Sequence, residues 1–197
     1  MTLTIYGDHR SGNCLKVKWA AERLGLAYDW IEVDARDGET RSPPFLKLNP
    51  AGQVPTVVLP DGRALAQSNA ILLHLAAGTD LIPADPYWRS KMFEWLFWEQ
   101  HSHEPYIAAA RRQMMRGASK KDLDAELVRR GDAALARMEA WLSAYPYLVD
   151  GRFSLADISL IAYTRLAHEG GFDLTKYPAV CVWIDRVEAE LGLTVPA

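Results

Sequence analysis

The pattern of hydrophobic and polar positions in the first part of the chain predicts four short β-strands. In each segment apolar and polar residues alternate or β-branched residues run together, and turn-forming residues lie at the ends. Asp61-Gly62 separates the last two segments and has the composition of a tight two-residue hairpin turn. The predicted strands are residues 3–6, 28–33, 56–59 and 63–66.

Between these strands, apolar residues recur at helical spacing. The first predicted helix begins after Ser11, a residue type favoured at the N-cap, and ends at Gly25. Residues 43–46 can begin a short helix, and a further helix runs from a capping Ser68 to Gly78. Because one helix joins the first two strands, we expect them to be parallel, with the antiparallel hairpin completing one mixed four-stranded sheet.

From residue 87 onwards the hydrophobic spacing is that of α-helices. Pro105 is expected to kink the first long helix, and Ser154 and Asp157 have the spacing of a capping box. The predicted helices cover residues 88–115, 123–142, 158–166 and 180–191. The expected organisation is a first domain over residues 1–78, a turn-rich linker over 79–86 and a helical domain over 87–197.

The composition predicts neither a nucleic-acid partner nor a membrane partner. Lys and Arg number 22 and Asp and Glu number 25, so the net charge of -3 gives no overall attraction to anionic surfaces. No stretch approaches the roughly 20 apolar residues of a spanning helix, and the N-terminus lacks the pattern of a secretory signal. Two cysteines, Cys14 and Cys181, do not make a disulfide framework or a cysteine-rich zinc site, so the expected location is the cytoplasm.

Four short motifs follow one another along the chain. They are S-G-N-C-L-K-V from Ser11, N-P-A-G-Q-V-P from Asn49, Q-S-N-A-I-L-L-H-L from Gln67 and S-L-A-D from Ser154. In this order and at these separations they resemble the cytosolic glutathione transferases, and the Ser-x-Asn pattern resembles bacterial members. The resemblance spans nearly the whole chain. It implies a thioredoxin-like α/β domain of order β-α-β-β-β-α followed by an all-α domain.

Pro55 stands at the start of the third predicted strand, where it has no N–H to donate to a sheet. The residues alone favour a trans bond, because only about 5–6% of X-Pro bonds in folded proteins are cis. The resemblance reverses this expectation, since the family has a cis-proline at this position. It implies that Val54 presents its backbone N–H and C=O to the cysteinyl backbone of glutathione, as an added strand would.

The resemblance also implies where the two carboxylates of glutathione bind. Gln67 and Ser68 lie at the predicted start of a helix, whose N–H groups favour an anion such as the γ-glutamyl carboxylate. Ser68 can also serve simply as a helix cap, and the two roles are compatible. Arg41 and Gln53 are expected at the glycyl carboxylate, with a solvated loop arginine as an equal alternative for Arg41.

Ser11, Asn13 and Cys14 are the expected catalytic residues. Glutathione reacts as its thiolate, whereas a free thiol has a pKa of about 8.5. The Ser11 hydroxyl, aided by the helix N-terminus, is the expected donor to the sulfur, and the alternative is a bare N-cap. Asn13 can offer its amide to the same sulfur. Cys14 matches the position of the beta-class cysteine that forms a mixed disulfide with glutathione, or it is a small buried helix residue.

The expected function is that of a glutathione transferase acting on an electrophilic, largely apolar small molecule. The alternatives are a glutathione-dependent disulfide or peroxide reductase and a non-catalytic protein-binding module of the same fold. Glutathione is a co-substrate, no metal or prosthetic group is expected, and the family usually forms homodimers. The residues expected to line the second-substrate pocket are His103, Tyr106, Arg111 and Arg112.

Overall fold

The computed structural model describes residues 2–193. The chain divides between Ile82 and Pro83 into two compact units, which are described separately. None of the helices within the described residues is both long and apolar enough to cross a bilayer.

The first unit is built on one mixed four-stranded sheet. β1 lies between β2, to which it is parallel, and β3, to which it is antiparallel. β4 pairs with β3 across the hairpin, so the strand order is β2-β1-β3-β4. The strands are β1 (Leu3–Gly7), β2 (Tyr28–Glu32), β3 (Thr56–Val58) and β4 (Ala64–Ala66). This is the predicted thioredoxin-like arrangement, and the predicted fold of the first domain is confirmed.

Three helices cover this sheet. They are α1 (Gly12–Arg23), α2 (Pro43–Leu48) and α3 (Ser68–Leu75). α1 and α3 contact each other, and their apolar faces bury one core with the sheet. That core contains Leu3, Ile5, Val17, Ala21, Val57, Leu59 and Ile71. Burial of such side chains stabilises the fold by about 1.5–3 kcal/mol each for the larger ones.

The start of α3 differs from the prediction. The residue that precedes the helix is Gln67, with a φ of 71°, and Ser68 is the first helical residue rather than the cap. A positive φ is uncommon outside glycine, because the Cβ then crowds the backbone. The prediction failed because serine is a common cap type and glutamine in this conformation gives no sequence signal.

The second unit is helical. Its helices are α4 (Pro86–Trp98), α5 (Glu104–Met115), α6 (Ala125–Leu142), α7 (Leu155–Thr164) and α8 (Pro178–Leu191). All residues of α7 are buried, and this helix contacts α4, α5 and α8. The predicted all-α fold of the second domain is confirmed.

The long helix predicted over residues 88–115 is interrupted rather than simply kinked. A π-helical turn, Glu99–His103, separates α4 from α5, and Pro105 lies in the first turn of α5. Proline has no N–H to donate to His101 four residues earlier, and its ring would clash with that carbonyl in a continuous helix. The wider π turn accommodates the ring, and Glu99 and His103 are fully buried within it.

The capping box at the start of α7 forms as predicted. The backbone N–H of Ser154 donates to Asp157 Oδ2 at 2.9 Å, and the Ser154 hydroxyl hydrogen-bonds to the same oxygen at 3.0 Å. Asp157 Oδ1 also accepts from the Leu148 N–H at 3.1 Å and from Trp183 Nε1 at 2.8 Å. One buried carboxylate therefore joins α7 to α8 and to the preceding loop.

Candidate functional site

Ser11 stands directly before α1 in an extended conformation, with φ of -90° and ψ of 117°. Its carbonyl accepts hydrogen bonds from Cys14 N and Leu15 N, both at 3.0 Å. Among the described residues, the Ser11 hydroxyl makes no capping hydrogen bond to the first turn of α1. The Ser11 side chain acts on the neighbouring Cys14 thiol, whose pKa it lowers. Ser11 therefore occupies the N-cap position of α1, while its side chain makes no capping bond there.

Cys14 is fully buried in the first turn of α1. Burial raises the pKa of its thiol to about 11, although hydrogen bonds from the Asp8 backbone and the Ser11 side chain lower it. At neutral pH the thiol is protonated, and a thiol is a far poorer nucleophile than a thiolate. These features match a small buried helix residue and oppose a mixed disulfide with glutathione at this position.

Asn13 connects the first turns of two helices. Its Oδ1 accepts a hydrogen bond from Lys16 Nζ at 2.7 Å and another from the Ser68 hydroxyl at 3.1 Å. Lys16 is fully buried, which is rare for a lysine that lacks a polar partner. The sequence interpretation did not assign Lys16 a role. Its signal is positional, because the residues on the same helical face, Gly12, Trp19 and Ala20, are buried.

Val54 and Pro55 lie directly before β3, an inner strand of the sheet. The Val54–Pro55 peptide bond is cis, Val54 is half-buried and Pro55 is buried. Asn49 holds this loop: its Nδ2 donates to the Gln53 carbonyl at 2.8 Å and to Thr56 Oγ1 at 3.1 Å. The conformation of the loop is therefore set by a buried side chain and does not require a ligand.

Arg41 and Gln53, the residues expected at the glycyl carboxylate, are both exposed. Arg41 Nη1 lies 3.4 Å from the Ala51 carbonyl and would lie only 2.7 Å from a Cβ at Gly52. Gly52 also has a φ of +61°, so both its conformation and its close approach to Arg41 require glycine. The guanidinium thus lies against the loop that carries Gln53.

Gln67 and Ser68 lie where β4 passes into α3. Gln67 is exposed and Ser68 is only 5% exposed. The N–H groups in the first turn of a helix have no partner within that helix, and the helix dipole makes this end positive. The residues predicted for the γ-glutamyl carboxylate therefore occupy an end of α3 that favours an anion.

The four residues predicted for the second-substrate pocket differ widely in their surroundings. His103 is fully buried and its Nε2 lies 2.9 Å from Thr164 Oγ1, so it cannot line an open pocket. Arg111 is half-buried and forms a 2.5 Å ion pair with Glu169. Tyr106 is half-buried and Arg112 is exposed. Sequence spacing did not reveal the burial of His103, because the π turn changes which side chains face the core.

Asp8, His9 and Glu32 bring potential metal-ligand atoms within 4.8 Å of one another. His9 Nδ1 lies 2.8 Å from Glu32 Oε1, and Arg10 Nε donates to Asp8 Oδ1 at 2.9 Å. His9 and Glu32 are exposed. Asp8 is buried. The carboxylates therefore already interact with neighbouring nitrogen donors, and ion pairing accounts for the cluster.

Comparison with known proteins identifies the family. The model of the glutathione S-transferase N-terminal domain matches residues 10–77, and that of the C-terminal domain matches residues 93–190. Glutathione S-transferase 3 of Zea mays is 33% identical over 95% of this chain and 89% of its own length. The chain belongs to the glutathione S-transferase family.

Solved members of the glutathione S-transferase family share this fold closely. A glutathione S-transferase from Pseudomonas fluorescens is 46% identical, with a TM-score of 0.92 and coverage of 96% of both chains. A glutathione transferase homologue from Sulfitobacter, solved with bound glutathione, is 26% identical, with a TM-score of 0.82 over 97% of this chain and 95% of its own. In the present family member, Asn13 links the start of α1, where Ser11 lies, to Ser68 at the start of α3.

Proposed function

We propose that this family member is a glutathione transferase that stabilises the thiolate of glutathione at Ser11 and transfers it to an electrophilic, largely apolar small molecule. Membership of the glutathione S-transferase family supports the general activity. The observation that carries the assignment of Ser11 is its hydroxyl, which stands at the N-terminus of α1 and makes no capping bond within the described chain.

The binding mode in this proposal uses three parts of the first unit. The γ-glutamyl carboxylate binds at the start of α3, where Gln67 and Ser68 lie, and the cysteinyl backbone pairs with Val54. The glycyl carboxylate binds Arg41 and Gln53, whose exposure leaves them accessible to it. The glutathione bound to the Sulfitobacter homologue supports the choice of ligand.

The reaction requires that the bound thiol lose its proton near neutral pH. Lowering its pKa by about two units needs roughly 2.7 kcal/mol. A hydrogen bond to a charged acceptor contributes about 1.5–3 kcal/mol, and the helix dipole about 0.3–1 kcal/mol. The proton leaves to solvent, and the sulfur forms a bond to the electrophilic carbon. Either a leaving group departs with its bonding electrons, or a double bond is saturated as the resulting carbanion takes a proton from solvent.

Cys14 is not the nucleophile in this proposal. Burial raises the pKa of its thiol to about 11, so the thiol keeps its proton near neutral pH. A glutathione-dependent reductase that uses Cys14 as the nucleophile is the alternative, and the burial of Cys14 weighs against it.

The remaining assignments extend this proposal. Residues 1–78 form the glutathione-binding domain, 79–86 the linker and 87–197 the helical domain; residue 1 and residues 194–197 of these ranges lie outside the described residues. Tyr106 and Arg112 line the second-substrate site. The protein is a cytoplasmic homodimer, and the exposed rings of Tyr87 and Phe97 on α4 provide apolar surface for association.

Three measurements test the proposed function. Retention on immobilised glutathione, followed by rates with a chlorinated nitroaromatic and with a glutathionyl disulfide, distinguishes a transferase from a reductase and from a non-catalytic module. We expect retention and conjugation of the nitroaromatic, with a large loss of rate in Ser11→Ala. Retention without either reaction would identify a binding module, and reduction of the disulfide alone would identify a reductase.

A further inference from the structure

Lys16 has its ammonium group inside the first unit, beside the proposed thiolate site. The side chain is 0% exposed, and Nζ donates to Asn13 Oδ1 at 2.7 Å. Side chains on a helix tilt towards its N-terminus, so Lys16 delivers its charge to the first turn of α1, three residues earlier. A buried ammonium is costly unless its surroundings stabilise it, so the position of this lysine needs a physical explanation.

The position of this charge runs against the usual helix preference. Cations are stabilised near the C-terminus of a helix and anions near the N-terminus. Lys16 instead adds positive charge at the start of α1, and its partner Asn13 is bonded to Ser68 at the start of α3. Two helix N-termini and one ammonium thus make this part of the unit favourable for a bound anion.

The hydrogen bonds to Asn13 also fix the orientation of its amide. Oδ1 accepts from both Lys16 Nζ and the Ser68 hydroxyl, and the ammonium, which can only donate, could not bond to an amide nitrogen in that place. The Nδ2 group must therefore point away from Lys16 and Ser68. The Ser68 hydroxyl has a single proton. When a ligand carboxylate accepts that proton, Lys16 remains as the donor to Asn13 Oδ1.

We propose that Lys16 is a positioning residue for the thiolate site: it orients the Asn13 amide and supplies a buried positive charge that favours the anionic sulfur. The proposal rests on the proposed function, because it assumes that glutathione binds as a thiolate near Ser11. Lys16 touches Asn13 and acts on the sulfur through it. Ser68 shares the same acceptor, so occupation of the carboxylate site is linked to the thiolate site.

The test measures the apparent pKa of bound glutathione in Lys16→Met by titrating the ultraviolet absorbance of the thiolate. Methionine keeps most of the buried volume while removing the charge and the donor. We expect the pKa to rise by about one unit, which corresponds to about 1.4 kcal/mol and to a tenfold loss of thiolate at pH values well below that pKa. Affinity for S-methylglutathione, which has no ionisable thiol, should change less than threefold.

Two further variants complete the design. Lys18→Met also removes a charge from α1. The Lys18 side chain is 41% exposed, and its Nζ lies 3.9 Å from Glu22 Oε1. The apparent pKa of bound glutathione should therefore stay at the wild-type value in this variant. Lys16→Gln keeps a donor without the charge and should give an intermediate pKa; it also covers the case in which Lys16→Met does not fold. In an Asn13→Ala background, Lys16→Met should have a smaller effect, because the orienting part is already lost.

The outcomes separate the two proposals. A wild-type pKa in a folded Lys16→Met or Lys16→Gln that still binds glutathione would overturn the role of Lys16 and leave the proposed function standing. A wild-type protein that binds glutathione with the pKa of the free thiol would overturn the proposed function itself. Equal losses of affinity for glutathione and S-methylglutathione, with an unchanged pKa, would show that Lys16 is only structural.

Discussion

The hydroxyl of Ser68 donates a hydrogen bond to Asn13 Oδ1 at 3.1 Å and so ties the first turn of α3 to the first turn of α1. The two residues are 55 positions apart, yet they share one proton. A ligand carboxylate that accepts this proton competes with Asn13. Binding at the start of α3 is therefore linked physically to the orientation of a side chain at the start of α1.

We predict that Ser68→Ala weakens glutathione binding more than it weakens the fold. A lost hydrogen bond to a charged group corresponds to about 1.5–3 kcal/mol, or roughly 10- to 150-fold in the dissociation constant. The cost to folding should be about 1 kcal/mol or less, because Gln67 and not Ser68 precedes the helix. Calorimetric titration and urea unfolding measure the two effects.

Ser90→Ala is the matched control for Ser68→Ala. Ser90 lies in the first turns of α4, where its hydroxyl donates to the Pro86 carbonyl at 2.9 Å and its side chain is exposed. This variant should bind glutathione as the wild type does. An unchanged affinity in a folded Ser68→Ala protein would contradict the assignment of Ser68 to the carboxylate.

A second prediction concerns Ser11. Ser11→Ala should raise the apparent pKa of bound glutathione towards its free value, while the affinity for glutathione changes little. When its stabilisation carries into the transition state, a donor that contributes about 1.4–2.8 kcal/mol gives a ten- to hundredfold loss in conjugation rate near neutral pH on removal. The rates of Ser11→Ala and Cys14→Ser, each measured from pH 6 to 9, check this. Loss in Cys14→Ser with Ser11→Ala unaffected would reverse the assignment.

The burial of Cys14 leads to a third prediction, on its reactivity. In a Cys181→Ala background, Cys14 is the one thiol in the sequence. With its pKa raised to about 11 by burial, it should react with iodoacetamide only after the protein is denatured. Intact-mass spectrometry of native protein incubated with oxidised glutathione should show no adduct. An adduct of one glutathione under native conditions would support the reductase alternative.

Much of the fold followed from local patterns that tertiary structure did not override. The alternating segments became β1 to β4, and Ser154 and Asp157 formed the predicted capping box. Other features depend on residues distant in sequence. The role of Asn13 depends on Ser68, and the burial of His103 depends on the π turn before α5. Neither relationship has a periodic signal, so spacing alone could not reveal it.

The burial of Lys16 is the feature that the sequence pattern predicted least. A lysine within an apolar helical face is usually expected to extend its charged end to solvent. Here the side chain is fully enclosed and its ammonium reaches Asn13. Only the three-dimensional packing around α1 shows that the charge stays inside, so the sequence motif alone could not reveal the position of this ammonium group.

A fourth prediction concerns the close packing of α6. Gly131 is buried in this helix, and a Cβ built on it would lie 2.3 Å from Cζ of Phe172. Replacing a helical glycine by alanine ordinarily stabilises by about 1 kcal/mol. At this position the ring must move, and we expect Gly131→Ala to destabilise by about 1–3 kcal/mol in urea unfolding. Combining it with Phe172→Leu should recover part of that loss; additive losses would contradict the proposed clash.

The last prediction concerns Asp157, whose carboxyl is buried at the junction of α7 and α8. Burial raises its pKa to about 6 from an ordinary value of 3.8, although hydrogen bonds from Trp183, Leu148 and Ser154 lower it. Between these values the folded state binds more protons than the unfolded state, so stability falls as pH rises. The contribution is complete below about pH 4 and is lost as pH rises through about 6.

Asp157→Asn removes the titrating group, so the fall in unfolding free energy between pH 4 and 6 should be smaller than in the wild type. Asp157→Ala should be less stable at every pH, by about 3 kcal/mol or more, because buried donors on Leu148, Ser154 and Trp183 lose their acceptor. Asp124→Ala, which removes the exposed cap of α6, is the control and should cost about 1 kcal/mol. Urea unfolding across this pH range measures all three variants. Wild-type stability in Asp157→Ala together with lost conjugation would mean that this carboxyl acts in the reaction and does not serve to hold the helices.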